Sequence, residues 1–216
     1  MRHKEGGTMR RVTELKDNWK FVRNAKDVRE AASADGIPVS LPHTWNAEDG
    51  QDGGNDYYRG TCWYCRSLDF PERNKGERVY LEFDGAAMSA EVYVNGEKLA
   101  RHEGGYSRFR VDITEHAAGL ENRLAVAVDN SDNGRIYPQK ADFTFYGGLY
   151  RMVRLVTVPE NHFSMDYCGG DGLKVTPAVT LAGKDGEPAS ASVTVEIWAE
   201  GSAKQVAVTV AEETKQ

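Results

Sequence analysis

The chain is 216 residues long and carries a formal net charge of −6 at pH 7, with 40% hydrophobic and 28% charged residues. This balance is that of a folded globular protein and excludes a disordered or collagen-like chain. The acidic charge, without a dense run of Lys and Arg, excludes a surface built for nucleic acid or anionic lipid, so a neutral partner such as a sugar fits better.

The first ten residues carry no export signal that we recognise. Met1 to Arg10 is charged and lacks an apolar stretch of about 7 to 15 residues, and no run of about 18 apolar residues follows. We therefore expect a cytoplasmic protein without a membrane span. The three cysteines, Cys62, Cys65 and Cys168, form no disulfide framework, and the Cys62–Cys65 pair in a strand-like run favours buried thiols over a metal or redox site.

The periodic segments are short and rich in Val, Tyr, Phe and Thr, which is typical of an all-β sandwich or barrel. One short helix is expected over 27–34, with too few apolar residues to bury much of a face. Asn95-Gly96 predicts a tight two-residue hairpin, because both residues readily take positive φ. The predicted strands are 19–22, 63–68, 78–83, 90–94, 108–113, 123–128 and 150–158.

The chain is expected to contain a flexible N-terminus (1–14), a first β-sandwich (15–159), a linker (160–172) and the start of a second β-domain (173–216). Alternating apolar residues resume in Leu173 to Leu181, Ala191 to Ala199 and Val206 to Val210. A complete immunoglobulin-like sandwich takes roughly 100 residues and seven strands, so we expect the second domain to be incomplete and the chain to be a piece of a longer protein.

Several sequence blocks occur in one order along the chain. They are Leu41-Pro-His-Thr-Trp-Asn46, Tyr58-Arg-Gly-Thr-Cys-Trp-Tyr-Cys-Arg66, Ala90-Glu-Val-Tyr-Val-Asn-Gly96, His102-Glu-Gly-Gly-Tyr-Ser-Arg-Phe109, Asp129-Asn-Ser131 and Asp142-Phe-Thr-Phe-Tyr-Gly-Gly-Leu-Tyr-Arg151. Over about residues 15–158 they resemble the N-terminal sugar-binding jelly-roll domain of family 2 glycoside hydrolases of the β-galactosidase type. Cys65 stands where that pattern usually has a basic residue. Residues from Leu173 onward are similar, less specifically, to the immunoglobulin-like domain that follows.

The resemblance implies a retaining glycosidase whose two catalytic Glu residues lie in a (β/α)8 barrel. Such a barrel takes about 250 residues of alternating strands and helices, a pattern that this sequence does not contain. Retaining hydrolysis needs two carboxyl groups about 5 Å apart, and we assign no pair here to those roles. We therefore predict no catalytic residue, no metal site and no cofactor in this chain, and no hydrolysis by it alone. The expected partners are a β-galactoside and the barrel itself, and a homo-oligomer is left open.

Asp142 is the first candidate for a sugar contact, because the resemblance places there a carboxylate that reaches into the sugar pocket. A carboxylate can accept hydrogen bonds from two neighbouring hydroxyl groups. A loop Asp that caps a turn is the alternative. Phe145 and Tyr146, with Phe143, could pack against the apolar face of a pyranose, and core packing is the competing interpretation.

His43, Trp45 and Asn46 lie in a long loop, 42–58, that contains aromatic residues and has no usable period. Loops of this kind in compact domains are usually functional or disordered, and the aromatics argue against disorder. The three residues are predicted to border the sugar pocket, with a structural role for His43 as the alternative. Arg59 is a weaker candidate, and an ion pair with Glu48 or Asp49 is its alternative.

Three functions remain open from the sequence. The first is the non-catalytic front of a β-galactosidase-like hydrolase, whose relatives with β-glucuronidase or β-mannosidase activity share the same domain plan. The second is a stand-alone carbohydrate-binding module, which would expose an aromatic platform and bind sugar unaided. The third is a structural sandwich without a ligand, which leaves the aromatic and Asp-bearing loops unexplained.

Overall fold

The computed structural model describes residues 9–47, 57–116, 121–136, 145–167, 169–182, 187–203 and 205–207. The strands are β1 (Arg11–Glu14), β2 (Trp19–Val22), β3 (Ile37–Val39), β4 (Thr61–Leu68), β5 (Arg78–Phe83), β6 (Ser89–Val94), β7 (Glu97–Glu103), β8 (Phe109–Asp112), β9 (Asn122–Asp129), β10 (Val153–Val158), β11 (His162–Phe163), β12 (Leu173–Ala182), β13 (Glu187–Ile197) and β14 (Ala199–Glu200). One α-helix, α1 (Val28–Ser33), and a 3-10 turn (Thr114–His116) complete the described elements.

Two antiparallel sheets pack face to face and form a jelly-roll β-sandwich. The larger sheet has the strand order β3-β2-β4-β9-β6-β7, and the smaller has the order β1-β10-β5-β8. Their inner faces enclose a core that includes the fully buried side chains of Trp19, Tyr64, Phe83 and Leu81. The all-β prediction is confirmed, and the alternating apolar residues of the strands account for this core.

Strand β9 shows how the alternation works on both faces. Leu124, Val126 and Val128 point into the core between the sheets, whereas Ala125 and Ala127 face outward. The small alanines leave room for helix α1, which packs Ala31 against the outer face of the sheet. The helix therefore covers part of a sheet face that would otherwise meet water.

Helix α1 begins at the N-cap Asp27, whose carboxylate accepts hydrogen bonds from the backbone N–H groups of Arg29 and Glu30, both at 2.9 Å. The prediction placed this helix correctly, and the buried face is the single alanine Ala31. None of the helices in the described part of the chain has the length and apolar character that crossing a membrane requires.

The two described cysteines lie on opposite faces of β4. Cys62 is in the core between the sheets, and Cys65 lies under helix α1. Burial raises the pKa of Cys62 to about 12 and also raises the pKa of Cys65. Both thiols are free and protonated at neutral pH, as expected of small buried apolar groups, and Cys168 lies outside the described residues.

Other sequence expectations have mixed outcomes. The hairpin at Asn95-Gly96 is present, with φ of 52° and 84°. Strand β1 (Arg11–Glu14) lies within the segment that was expected to be a flexible N-terminus, and it pairs with β10. Strand β3 was not predicted, and it pairs with β2.

The C-terminal part of the described chain is a long hairpin, β12–β13, and the short pair β11–β14. One face of the hairpin is apolar, and the other carries Lys174, Glu196 and several Thr and Ser residues. The residues that share the apolar face are Leu173, Val175, Pro177 and Val179 on β12 and Ala191, Val193, Val195 and Ile197 on β13. That this hairpin begins an immunoglobulin-like domain stays a prediction.

Candidate functional site

Those predicted sugar-contacting residues that the structure describes lie on two segments that meet at one end of the sandwich. The first follows β3 and continues into β4, and the second precedes β10. The backbone N–H of His43 donates to the carbonyl of Leu149 at 2.9 Å, and the hydroxyl of Thr44 donates to the carbonyl of Gly147 at 2.8 Å. Segments about 100 residues apart in sequence are thus joined by direct hydrogen bonds.

Two buried asparagines fix the backbone of this loop end. Asn46 accepts a hydrogen bond from the backbone N–H of Gly147 at 2.7 Å and donates to the carbonyl of Tyr58 at 3.0 Å. Asn130 donates to the side-chain oxygen of Asn46 at 3.2 Å and to the carbonyl of Phe145 at 3.1 Å. Both side chains are 0% exposed, so this arrangement makes them positioning residues for the loops.

Asn130 was not among the sequence candidates. It follows the buried strand β9 directly, and its side-chain oxygen accepts the N–H of Gly60 at 2.9 Å. The Asp129-Asn-Ser131 block was the signal in the sequence, because a polar triplet at the end of an inner strand must satisfy backbone groups where pairing stops.

His43 is half-buried and packs against core aromatics. Its Nδ1 atom lies 2.7 Å from the hydroxyl oxygen of Tyr64, and its ring lies 5.0 Å from that of Phe21. Burial lowers the pKa of His43, so the imidazole is neutral at neutral pH. The contacts fit the structural alternative for this residue, and a sugar contact by His43 stays a prediction.

Trp45 is buried and supports the loop that precedes β10. Its ring stacks on Phe21 with a centroid distance of 6.0 Å, and its indole N–H donates to the carbonyl of Tyr58 at 3.2 Å. A Cβ atom on Gly147 would lie 1.9 Å from Cζ2 of Trp45. Glycine at 147 is therefore required by the approach of the indole ring.

Phe145 and Tyr146 point to different environments. Phe145 is 5% exposed and packs with Ala87, Met88 and Ile136, as the core-packing alternative requires. Tyr146 is 42% exposed and keeps its ring available at the loop end. Of these two aromatic candidates, Tyr146 is the one that can meet a ligand without rearrangement.

Arg59 lies over the ring of Phe145, with its Cζ atom 5.4 Å from the ring centroid. Its Nε donates to the carbonyl of Asn130 at 2.8 Å, and its Nη1 lies 2.9 Å from Oδ1 of Asp132. The observed ion-pair partner is thus Asp132, while Glu48 and Asp49 lie outside the described residues. The guanidinium is held at the rim, where its remaining N–H groups can donate to a hydroxyl or carboxylate.

Asp142, the first candidate, and Phe143 lie outside the described residues, so the contact of Asp142 with sugar stays a prediction. Within the described ranges no group of three or more His, Cys, Asp or Glu side chains is arranged to hold a metal ion. The described loop end thus consists of a rigid base of Trp45, Asn46 and Asn130, with Arg59 and Tyr146 on its accessible side.

The sequence is similar to a known protein family and to several named glycosidases. Residues 50–159 match the family model for the sugar binding domain of glycosyl hydrolases family 2. The chain is 38% identical over 164 residues to a putative β-glucuronidase from Formosa agariphila, covering 74% of this chain and 20% of that protein. It is 36% identical over 156 residues to a β-galactosidase from Thermoanaerobacter pseudethanolicus, covering 68% of this chain and 21% of that protein.

Among solved structures, an FMN-binding β-glucuronidase from Faecalibacterium prausnitzii L2-6 superposes with a TM-score of 0.76 at 41% identity, covering 90% of this chain and 28% of that one. The chain thus spans between a fifth and 28% of the length of such proteins. The match over residues 50–159 covers half of the chain and includes strands β4 to β10. The chain belongs to glycoside hydrolase family 2 and carries the sugar-binding domain of that family.

Proposed function

We propose that this chain is the N-terminal, non-catalytic region of a retaining β-glycosidase. In this proposal the jelly-roll packs on a catalytic barrel and contributes side chains to the rim of the sugar site. The observation that carries it is the locked loop end: Asn130 and Asn46 fix the backbone on either side of Tyr146, and the carbonyl of Asn130 accepts from Arg59. Such a rim needs rigid support, because a small displacement of a binding residue lowers catalytic efficiency strongly.

For the substrate we propose a β-glucuronide, with a β-galactoside as the second candidate. Proteins named as β-glucuronidases include the relative with 38% identity and the structure with 41% identity. The sequence blocks around Leu41 to Asn46 and Asp142 to Gly148 favour the β-galactoside. The two sugars differ at C6, where a glucuronide carries a carboxylate, so the choice depends on which cations the complete site presents.

A stand-alone carbohydrate-binding module is less well supported by the loop end. Such a module needs an exposed aromatic platform, yet Trp45 and Phe145 are buried and Tyr146 is the exposed ring among the described candidates there. The apolar face of the β12–β13 hairpin also supports a larger protein, because isolated exposed apolar sheet faces are aggregation-prone.

The test is to express the complete reading frame that contains this chain and to assay p-nitrophenyl β-D-glucuronide and p-nitrophenyl β-D-galactoside. We expect hydrolysis of one of them, and none by the 216-residue chain alone. Arg59→Ala and Tyr146→Ala in the complete protein are expected to lower kcat/KM by about tenfold. Arg29→Ala, at an exposed arginine of helix α1 on the outer face of the larger sheet, serves as the control. Absence of hydrolysis of both substrates would overturn the proposal.

A further inference from the structure

A second concave surface lies on the outer face of the larger sheet, beside the start of helix α1. It is a cavity of about 480 Å³ formed over strands β4, β9, β6 and β7. We call it the Tyr93 groove and define it by Thr61, Trp63, Ser89, Glu91, Tyr93, Arg101 and Asp129, which line it. A cavity of this size is within the range of small-molecule sites.

The strand register explains why the outer surface of the sheet has a depression here. Thr61, Asp129 and Ser89 form one row across β4, β9 and β6, and Trp63, Ala127 and Glu91 form the next. Ala127, with its single methyl group, lies between the larger Trp63 and Glu91 and leaves a depression. Helix α1 does not fill it, because the helix begins at Val28 and only its first residues reach the edge of the groove.

Two aromatic rings are held rigidly at this surface. The rings of Trp63 and Tyr93 have a centroid distance of 5.5 Å and an interplanar angle of 46°. The indole N–H of Trp63 donates to the carbonyl of Ala25 at 3.0 Å, and the hydroxyl of Tyr93 donates to Glu91 at 2.6 Å. Tyr93 remains partly exposed, so its ring is a fixed apolar surface of the kind that packs against a pyranose face.

Two carboxylates and a guanidinium surround the rings. Burial raises the pKa of Glu91, but hydrogen bonds from Lys98 and Tyr93 outweigh it, so the pKa of this group is below its usual value. The same balance lowers the pKa of Asp129, where Ser131 and Thr61 donate. Both carboxylates are therefore ionised at neutral pH and can accept further hydrogen bonds from hydroxyl groups, while Arg101, 3.2 Å from Glu91, can donate them.

The charges around the groove nearly cancel. Lys26 and Arg101 contribute two positive charges, and Asp27, Glu91 and Asp129 contribute three negative charges, which leaves a net −1. An anionic ligand would be repelled, and an apolar ligand would remove water from the carboxylates without offering hydrogen bonds in its place. A ligand with one apolar face and several neutral hydroxyl groups satisfies both the ring and the polar atoms.

We propose that the Tyr93 groove binds a neutral saccharide, with its apolar face on Tyr93 and its hydroxyl groups bonded to Glu91, Asp129 and Arg101. This inference goes beyond the proposed function, since it requires no hydrolysis and no barrel. The groove is built wholly from the jelly-roll, which has its own core between the two sheets.

The experiment titrates the 216-residue chain with neutral mono- to tetrasaccharides of β-linked glucose, galactose, mannose and xylose, using calorimetry and tryptophan fluorescence. We expect at least one to bind with a Kd of about 1 mM or tighter. Tyr93→Ala is expected to weaken that binding about tenfold, and Tyr93→Phe less, because the ring is retained. Tyr106→Ala, a matched change at a tyrosine outside the groove, is expected to bind like the parent chain.

Ser89→Gln provides a second variant that fills the groove and leaves both rings intact, in case Tyr93→Ala does not fold by circular dichroism. The proposal is overturned if none of the saccharides binds, or if folded Ser89→Gln and Tyr93→Ala variants bind like the parent chain. Loss of binding in Tyr146→Ala alone would place the saccharide at the loop end. That result would also overturn this proposal, while the proposed function would stand.

Discussion

At Gly147 and Gly148, the two loops of the candidate site approach so closely that a side chain would collide with the neighbouring loop. A Cβ atom on Gly147 would lie 1.9 Å from Trp45, and one on Gly148 would lie 2.4 Å from the carbonyl oxygen of His43. We predict that Gly147→Ala lowers the free energy of unfolding by about 1–3 kcal/mol, because Trp45 must leave its packed position. Urea denaturation measures this change.

The matched control is Gly134→Ala, because a Cβ atom there would meet no atom within 4 Å. This variant is expected to stay within about 0.5 kcal/mol of the parent chain. Equal stability of Gly147→Ala and Gly134→Ala would show that the indole ring does not depend on glycine at 147.

Glu77 is a buried carboxylate whose titration links stability to pH. It accepts two hydrogen bonds from Arg11, at 3.0 and 3.1 Å, and one from the backbone N–H of Asn74 at 2.7 Å. The bonds from Arg11, followed by that from Asn74, hold the pKa of Glu77 at about 2, below its usual 4.5. A carboxyl group with a lowered folded-state pKa stabilises the fold above its unfolded pKa, and this contribution is lost as the pH falls from about 4.5 to about 2.

We therefore predict that Glu77→Gln lowers stability at neutral pH and flattens the dependence of the free energy of unfolding on pH over this acidic range. Glu115→Gln changes an exposed glutamate in the same way and is expected to leave the slope unaltered. Denaturant titrations at a series of pH values give the slopes. The same slope for Glu77→Gln and the parent chain would contradict the assignment.

Among the elements, helix α1 depends on its N-cap. Asp27 supplies two hydrogen bonds to the first turn of a helix that is only six residues long and buries one alanine. We predict that Asp27→Ala lowers the free energy of unfolding by about 1 kcal/mol, whereas Asp27→Asn retains most of it, because Asn is an equally good N-cap. Thermal unfolding compares the two variants with Asp35→Ala, an exposed aspartate just beyond the helix. A loss as large in Asp35→Ala would exclude capping as the cause.

The strands that the sequence predicted are those with an apolar face. In β9 the large residues Leu124, Val126 and Val128 alternate with alanine, and the structure has that strand at Asn122–Asp129. By contrast, every residue of β1 is exposed, and in β3 only Val39 is half-buried, so neither strand has an apolar alternation to detect. Both are edge strands that are fixed by pairing with β10 and β2, and such pairing is a long-range property.

The sequence indicated which segments contain the candidate site residues, but it did not indicate which of these residues contact each other. The blocks containing His43 to Asn46 and Phe145 to Gly148 lie on two loops that meet in the structure. The bond between Asn130 and Asn46, however, joins residues 84 apart. No local period encodes such a contact. Likewise, whether Phe145 faces sugar or core depends on Ala87, Met88 and Ile136, which come from other loops. Residue type alone therefore could not decide between a sugar contact and core packing for Phe145.

On the scale of the whole molecule, Arg110 joins the jelly-roll to the segment that leads to the β12–β13 hairpin. Its buried guanidinium lies 2.6 Å from Glu82 and donates to the carbonyls of Gly170 at 2.5 Å and Met165 at 3.2 Å. Nη2 also donates to Asp171 at 3.0 Å. The course of the linker after β11 is thus set by a charged side chain of the jelly-roll.

The exposed apolar face of the β12–β13 hairpin is the feature that we expect to govern self-association of the isolated chain. Val175 and Val193 are each about 54% exposed on that face, beside Leu173 and Val179. Since contiguous exposed apolar surface drives association, we predict that the 216-residue chain self-associates in a concentration-dependent manner. Val175→Lys or Val193→Lys is expected to lower the apparent association constant by about tenfold, because a lysine at the contact must be desolvated. Sedimentation velocity measures this shift.

The control uses the opposite face of the same strands. Thr176→Lys and Thr194→Lys add the same charge one residue further along each strand, where side chains alternate to the polar face. If association depends on the apolar face, these two variants sediment like the parent chain and only the valine variants shift toward monomer. An equal shift in both pairs would mean that net charge governs association, and the hairpin face would then have no specific role in it.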